Sequence, residues 1–331
     1  MRVPLCIAVI AGFLAIPASA AAPSARIVFT RDVGDQQELF SVRPDGSGIQ
    51  RLTHDPVYDS EPAWSPDGRL IASVGAGGIV VRTLNGSVVR RIEIPVDGTI
   101  AEVDWSPDGA WISYLVEHCS YEDPRGYVIP PCADLWVVRS DGSANRRLLD
   151  REVDMGDTGA SYAWSPGSRR LVYEALSSGA TTLGVVDLRS GASRRIPGTA
   201  RAADPTWSSR GEIAFVRGRA VYTVQPSGRG LKRLLRAASP SRTSWSPNGR
   251  RLAYLAAERT RIGNRWGVWI VGADGRPRLR VGTATYDREL AWSSDSTRLA
   301  WENDFERLIV ARADRRDSAR FLTRGSEPDW R

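Results

Sequence analysis

A tryptophan that recurs with its own turn constrains this chain more than any other feature. Trp64-Ser65-Pro66-Asp67-Gly68-Arg69 returns as Trp105-Ser106-Pro107-Asp108-Gly109-Ala110, Trp164-Ser165-Pro166-Gly167-Ser168-Arg169 and Trp207-Ser208-Ser209-Arg210-Gly211. It returns again as Trp245-Ser246-Pro247-Asn248-Gly249-Arg250 and Trp292-Ser293-Ser294-Asp295-Ser296, and Trp330 is the seventh in the series. The spacings are 41, 59, 43, 38, 47 and 38 residues. A period of that length marks a stacked repeat and fits one sheet of a radial array.

Between tryptophans the same short β-type runs recur. A strand such as Leu70-Ile71-Ala72-Ser73 is followed by one such as Leu135-Trp136-Val137-Val138-Arg139. A turn such as Ser140-Asp141-Gly142-Ser143 then leads to an Arg-rich strand, as in Arg146-Arg147-Leu148-Leu149 or Lys232-Arg233-Leu234-Leu235. Pro66 presets φ for a tight turn, Asp67 suits the next position, and Gly68 tolerates the positive φ that leaves it. Each tryptophan strand should therefore pair with the strand after it. No segment after the leader carries a helical period.

A lone four-stranded sheet of this size cannot bury both faces, and radial stacking covers them. The expected fold is all-β: a closed seven-bladed β-propeller with four-stranded antiparallel blades, six being the alternative count. Pro62, Pro205 and Pro328 each stand two residues before a tryptophan. Since proline cannot donate to a ladder, the tryptophan strand should lie at the blade edge.

The two ends complement one another. Arg26-Ile27-Val28-Phe29-Thr30 matches the strand that follows a tryptophan turn, whereas Ser326-Glu327-Pro328-Asp329-Trp330 matches Ser60-Glu61-Pro62-Ala63-Trp64. One blade is thus expected to combine a C-terminal strand with three N-terminal ones.

Ahead of the repeats, Arg2, an apolar run from Val3 to Ile16 and the small-residue site Ala18-Ser19-Ala20 read as an export signal over residues 1–20. Residues 21–25 form a short segment, residues 26–331 the propeller, and no later stretch is apolar for long enough to span a bilayer. The expected location is periplasmic or extracellular, where Cys119 and Cys132 are expected to bridge the turn-rich loop between them. A metal pair there lacks further ligands at useful spacing. The formal charge of +7 is almost wholly arginine, Lys232 being the only lysine, and it is spread through the repeats. That distribution argues against a nucleic-acid partner.

Residues 36–69, with Glu38-Leu39-Phe40-Ser41-Val42-Arg43-Pro44-Asp45-Gly46-Ser47-Gly48, Arg51-Leu52-Thr53 and Glu61-Pro62-Ala63-Trp64-Ser65-Pro66-Asp67-Gly68-Arg69, closely resemble the repeat of TolB-type β-propellers. The resemblance runs from about residue 26 to the end and implies a propeller whose tryptophan strands are innermost. TolB itself carries an α/β domain before a six-bladed propeller, whereas here the repeats start directly after the leader. Related propellers also precede the catalytic domain of prolyl oligopeptidase-like peptidases.

Catalytic signatures are missing from the sequence. His54 and His118 are the two histidines, in different repeats, and no G-x-S-x-G, P-loop or dinucleotide fingerprint occurs. The manganese lyases that resemble this fold need several histidine ligands, and no Cys/His cluster suits zinc.

One constellation stands out. Three positions before each tryptophan stand Glu61, Glu102, Ser161, Asp204, Arg242, Glu289 and Glu327, so five of seven are acidic in a basic protein. Rotation-related blades would set them at one height around the channel. There they would either hold a divalent cation such as calcium, receive a basic partner group, or accept backbone N–H groups of the adjacent blade.

The expected function is a monomeric, exported, non-enzymatic binding scaffold that presents this mouth and its loops to a protein or peptide. Tyr58-Asp59-Ser60, Asp150 to Gly159 and Tyr286-Asp287-Arg288 are the loops concerned. The alternative is a metal-dependent carbohydrate-active or lactone-cleaving enzyme using the channel carboxylates.

Overall fold

The computed structural model describes residues 25–330, except 55, 76, 95–97, 119–120, 123–127, 130–131, 155–161, 178–179, 261–262, 285–288 and 304–305. Among the described residues there is no helix, and the strands form seven four-stranded antiparallel units in a ring, with Tyr121–Glu122 and Val128–Ile129 pairing separately as a short ribbon. Blades are numbered here by the order of their tryptophan strands.

Blade 1 consists of Ser60–Trp64, Leu70–Gly75, Gly78–Thr83 and Val88–Glu93. Blade 2 has Thr99–Trp105, Trp111–His118, Cys132–Arg139 and Arg146–Asp154. Blade 3 has Tyr162–Trp164, Arg170–Ser177, Ala180–Asp187 and Ser193–Arg195. Blade 4 has Ala203–Trp207, Ile213–Arg217, Ala220–Val224 and Lys232–Arg236. Blade 5 has Ser241–Trp245, Arg251–Thr260, Gly263–Gly272 and Arg278–Ala284. Blade 6 has Leu290–Trp292, Arg298–Asn303, Arg307–Arg312 and Arg320–Arg324.

Blade 7 is the seam, ordered Ser326–Trp330, Ile27–Val33, Gln36–Val42, Gln50–Arg51. Trp330 stands opposite Ile27 and Asp329 opposite Val28, so the two ends close one blade as the repeat register requires. The tryptophan strand sits at the edge of every blade. Blades 2 and 3 are less separate than the repeat implies: the long fourth strand of blade 2 reaches across to pair Val153 with Ala175.

The tryptophan turn has a side-chain lock as well as a backbone one. Ser65 Oγ lies 2.7 Å from Asp67 Oδ1 and accepts the Leu70 N–H at 2.9 Å, while Gly68 takes φ +66°. Blade 2 repeats it with Ser106, Asp108, Trp111 and Gly109. In blades 3 and 6 a serine replaces the glycine at positive φ, and its hydroxyl accepts an N–H from another turn: Asp108 N to Ser168 Oγ at 3.0 Å, Asn248 N to Ser296 Oγ at 3.2 Å.

The apolar clusters lie between blades. Ile27, Phe29, Phe40 and Val42 pack with Ala300, Leu308 and Val310 of blade 6, while Val28 and Leu39 pack with Trp64 and Ile71 of blade 1. Burying both faces of a sheet against its neighbours is what lets such small sheets be stable. Tryptophan indoles bind the rings together. Trp105 Nε1 donates to Ala63 O at 3.1 Å, and Trp292 Nε1 to Ser244 O at 3.1 Å, in each case the residue before the preceding blade's tryptophan.

Candidate functional site: the channel mouth

The seven inner strands line a central channel enclosing about 370 Å³, with Glu61, Glu102, Asp204, Arg242, Glu289 and Glu327 at the end where these strands begin. Five of these residues share a backbone state. Glu61, Glu102, Asp204, Arg242 and Glu327 have φ between +48° and +53°. The left-handed region costs a residue with a Cβ about 1 kcal/mol or more, so its recurrence at one repeat position reflects a constraint the blades share.

Each of the five sits in a β-bulge. Pairing slips between Ser60 and Ala63, between Ala101 and Asp104, between Ala203 and Thr206 and between Ser241 and Ser244, and in blade 7 between Val28 and Thr30 of the strand opposite. A bulge takes one N–H out of the ladder, and that N–H needs another acceptor.

The preceding part of the ring supplies it. Glu61 N donates to Glu327 Oε2 at 2.9 Å, Arg242 N to Asp204 Oδ2 at 3.2 Å, and Asp204 N to Glu174 Oε2 at 3.2 Å. At the seam Trp64 N also donates to Asp329 Oδ2 at 2.6 Å, and Thr30 Oγ1 to Glu327 Oε2 at 3.3 Å. Glu327 and Asp204 are therefore anchors between blades.

Glu61 differs, and the Ser161 N–H that Glu102 would meet in blade 3 lies outside the described residues. No carboxylate bond of this kind joins blade 1 to blade 2 among the described residues, and both side chains are half-buried, facing the lumen. Burial, followed by the charges of Glu102, Glu327, Glu289 and Glu117, holds Glu61 well above the usual carboxylate range. Burial and Glu289, opposed by Arg242 and reinforced by Asp104 and Glu117, push Glu102 up to about 8. Protein encloses both groups except toward the channel, so water reaches them from one side only. Glu289 is exposed at the same mouth.

Tyr58, three residues before Glu61, is 57% exposed, and its hydroxyl is raised by burial and then by the charges of Glu327, Asp32 and Glu61. Asp59 corrects the expectation from its neighbourhood: it is 0% exposed and holds Arg82, itself 3% exposed, at 3.1 Å. Buried against Arg82 inside blade 1, this carboxylate is not presented at the surface. Asp150 is exposed and pairs with Arg147 at 3.1 Å. Tyr286, Asp287, Arg288, Ser161 and residues 155–159 lie outside the described residues. So does Cys119, while Cys132 is described in its backbone alone, in register with His118. His54 is exposed.

Three residues of the mouth lay outside the expectation, and a fourth acts on it from the second strand of blade 2. Asp104 and Asp329 stand one position before their tryptophans and line the channel. Tyr162, two positions before Trp164, donates its hydroxyl to the Glu102 carbonyl and accepts from Ser113 Oγ at 3.1 Å. Glu117, raised by burial, acts on both Glu61 and Glu102. Carrying the tryptophan alignment over positions −1 and −2 would have found the first three. Among the described residues no group of three or more His, Cys, Asp or Glu is arranged to hold a metal ion.

No protein-family model matches the chain. It is 24% identical over 171 residues to a TolB homologue of Chlorobium luteolum, covering 51% of this chain and 35% of that protein. It is 27% identical over 127 residues to a TolB homologue of Chlorobaculum tepidum, covering 37% and 26%. The matched region thus spans about a third or less of those relatives.

Among solved structures, TolB from Acinetobacter baumannii superposes with a TM-score of 0.57 at 13% identity, over 93% of this chain and 82% of that one. An oligogalacturonate lyase in complex with manganese gives 0.63 at 12% identity, over 90% and 84%. A puromycin hydrolase gives 0.66 at 16% identity, over 92% and 53%. The propeller is similar to TolB homologues in sequence, and it shares its fold with TolB and with enzymes alike.

Proposed function

We propose that this chain is an exported, monomeric, non-catalytic binding protein whose acidic channel mouth receives a cationic group of a protein or peptide: a lysine or arginine side chain, or an N-terminal amine. The observation that carries the reading is the pair Glu61 and Glu102, two carboxyls facing an open lumen at positive φ with charges of the same sign around them. A cation relieves that repulsion, and enclosure by protein strengthens the attraction. Tyr58, three residues before Glu61, offers an aromatic face for the alkyl stem or the charge. The similarity to TolB homologues is consistent with a binding role, and the export signal rests on residues 1–20.

Binding of a fluorescent lysine-containing peptide, with its acetyl-lysine counterpart as control, tests the reading. The wild type is expected to bind the first and not the second, and the Glu61→Gln/Glu102→Gln variant to bind neither. Equal binding of both peptides contradicts it. The competing reading, a divalent-metal enzyme acting on carbohydrates or lactones, predicts instead that calcium or manganese raises the melting temperature and that the same variant abolishes the rise.

A further inference from the structure

Blade 6 departs from the repeat at the turn between its third and fourth strands. Where the other blades turn through sequences such as Pro44-Asp45-Gly46-Ser47 or Ser140-Asp141-Gly142-Ser143, blade 6 has Ala313-Asp314-Arg315-Arg316-Asp317-Ser318-Ala319. Two arginines stand where glycine and its neighbour are usual. Asp317 takes φ +44°, the conformation glycine adopts elsewhere.

The turn is held from several sides. Asp317 N donates to Arg280 O at 2.9 Å and Ala319 N to Val281 O at 3.1 Å, tying it to the outer strand of blade 5. Ser318 Oγ accepts the Arg312 N–H and donates to Arg312 O, both at 3.0 Å. On the other side Arg320 Nη2 donates to Pro44 O of blade 7 at 2.6 Å.

The carboxylates that could neutralise the tip are already engaged. Arg312 grips Asp314 with both prongs of its guanidinium, Nε to Oδ1 and Nη2 to Oδ2, each at 3.0 Å. Asp317 is held by Arg280, which reaches over from blade 5. Arg315 and Arg316 form no ion pair among the described residues and are exposed. Together with Arg298, Arg312 and Arg320 they line a concavity of about 470 Å³ in which Asp317 is the only acidic lining residue.

The geometry points to an oxyanion-binding site at this turn, shaped for a phosphate or sulfate ester. Guanidinium forks match tetrahedral oxyanions bidentately, and several arginines around one concavity suit a dianion better than a single carboxylate. Since the site lies at the opposite end of the strands from the acidic mouth, the molecule would hold a cation at one face and an anion at the other. This inference does not depend on the reading of the mouth.

Titration with pyrophosphate tests it, using wild type, Arg315→Ala/Arg316→Ala, and Arg90→Ala/Arg91→Ala as a control that removes the same charge from the exposed outer strand of blade 1. The wild type is expected to bind, the first variant to lose about tenfold or more in affinity, and the control to match the wild type. Melting temperatures confirm that both variants fold, and Arg315→Gln/Arg316→Gln serves as a second form of the site variant. Vesicles containing anionic phospholipid and a sulfated oligosaccharide, run on the same proteins, distinguish a headgroup from a glycan as the source of the oxyanion. Loss of either interaction in the site variant alone supports the site. No pyrophosphate binding by the wild type, or an equal loss in the control, overturns it.

Discussion

Glu327 and Asp204 occupy the same repeat position as Glu61 and Glu102, with the same φ, yet they do different things. The first pair accept a bulge N–H from the next blade, at 2.9 and 3.2 Å, and so hold blades together. The second pair face the lumen with carboxyls pushed up by burial and by like charges. Four of the five acidic residues at this repeat position thus divide among the described residues: Glu327 and Asp204 accept a bulge N–H, Glu61 and Glu102 show no such bond, and Glu289 stands exposed at the same mouth. The bulge explains both: it frees an N–H that needs an acceptor, and it turns the side chain of its own residue into the channel.

The largest effect expected lies at the seam. Trp330 is 2% exposed and follows Asp329, which accepts the Trp64 N–H. Trp330→Ala should cost about 3 to 5 kcal/mol, measured by denaturant unfolding. A cost near zero would mean the two ends do not carry the closure.

Next come the anchors themselves. Glu327→Ala and Asp204→Ala each leave a bulge N–H without its acceptor and should cost about 1 to 3 kcal/mol. Glu61→Gln/Glu102→Gln should leave the melting temperature unchanged or raised. If all four substitutions cost alike, the division does not hold.

A smaller, pH-dependent difference follows from Glu102. With its carboxyl raised to about 8 in the folded protein, the native state holds a proton that the unfolded chain releases near pH 4.3. The native state therefore binds more protons in this interval, and stability falls as pH rises from about 4.3 to about 8. Comparing melting temperatures of wild type and Glu102→Gln across that range should show a steeper decline in the wild type. Parallel curves would mean that Glu102 ionises like a solvated carboxylate.

The ring was legible in the sequence because its causes are local. Trp-Ser-Pro-Asp-Gly fixes a turn through Ser65, Asp67 and Gly68, and the match between Arg26-Ile27-Val28-Phe29-Thr30 and the missing strand after Trp330 gives the closure. The division within the acidic set was not legible, because a one-dimensional pattern does not say which N–H leaves a ladder or which neighbour catches it. Asp59 illustrates the same limit: it looked like a loop residue beside Tyr58, but Arg82, 23 residues on, draws it into blade 1. Glu117 acts on the mouth from the second strand of blade 2, where the tryptophan alignment does not reach.

The most direct test is calorimetric titration of the wild type with the lysine peptide at pH 7, run in two buffers of different ionisation enthalpy. A cation entering beside Glu102 should expel the proton that burial and like charges hold there. The account predicts binding with proton release in the wild type, and no binding in Glu61→Gln/Glu102→Gln, whose fold and melting temperature are intact. Binding without proton exchange, or undiminished binding by the variant, would contradict it.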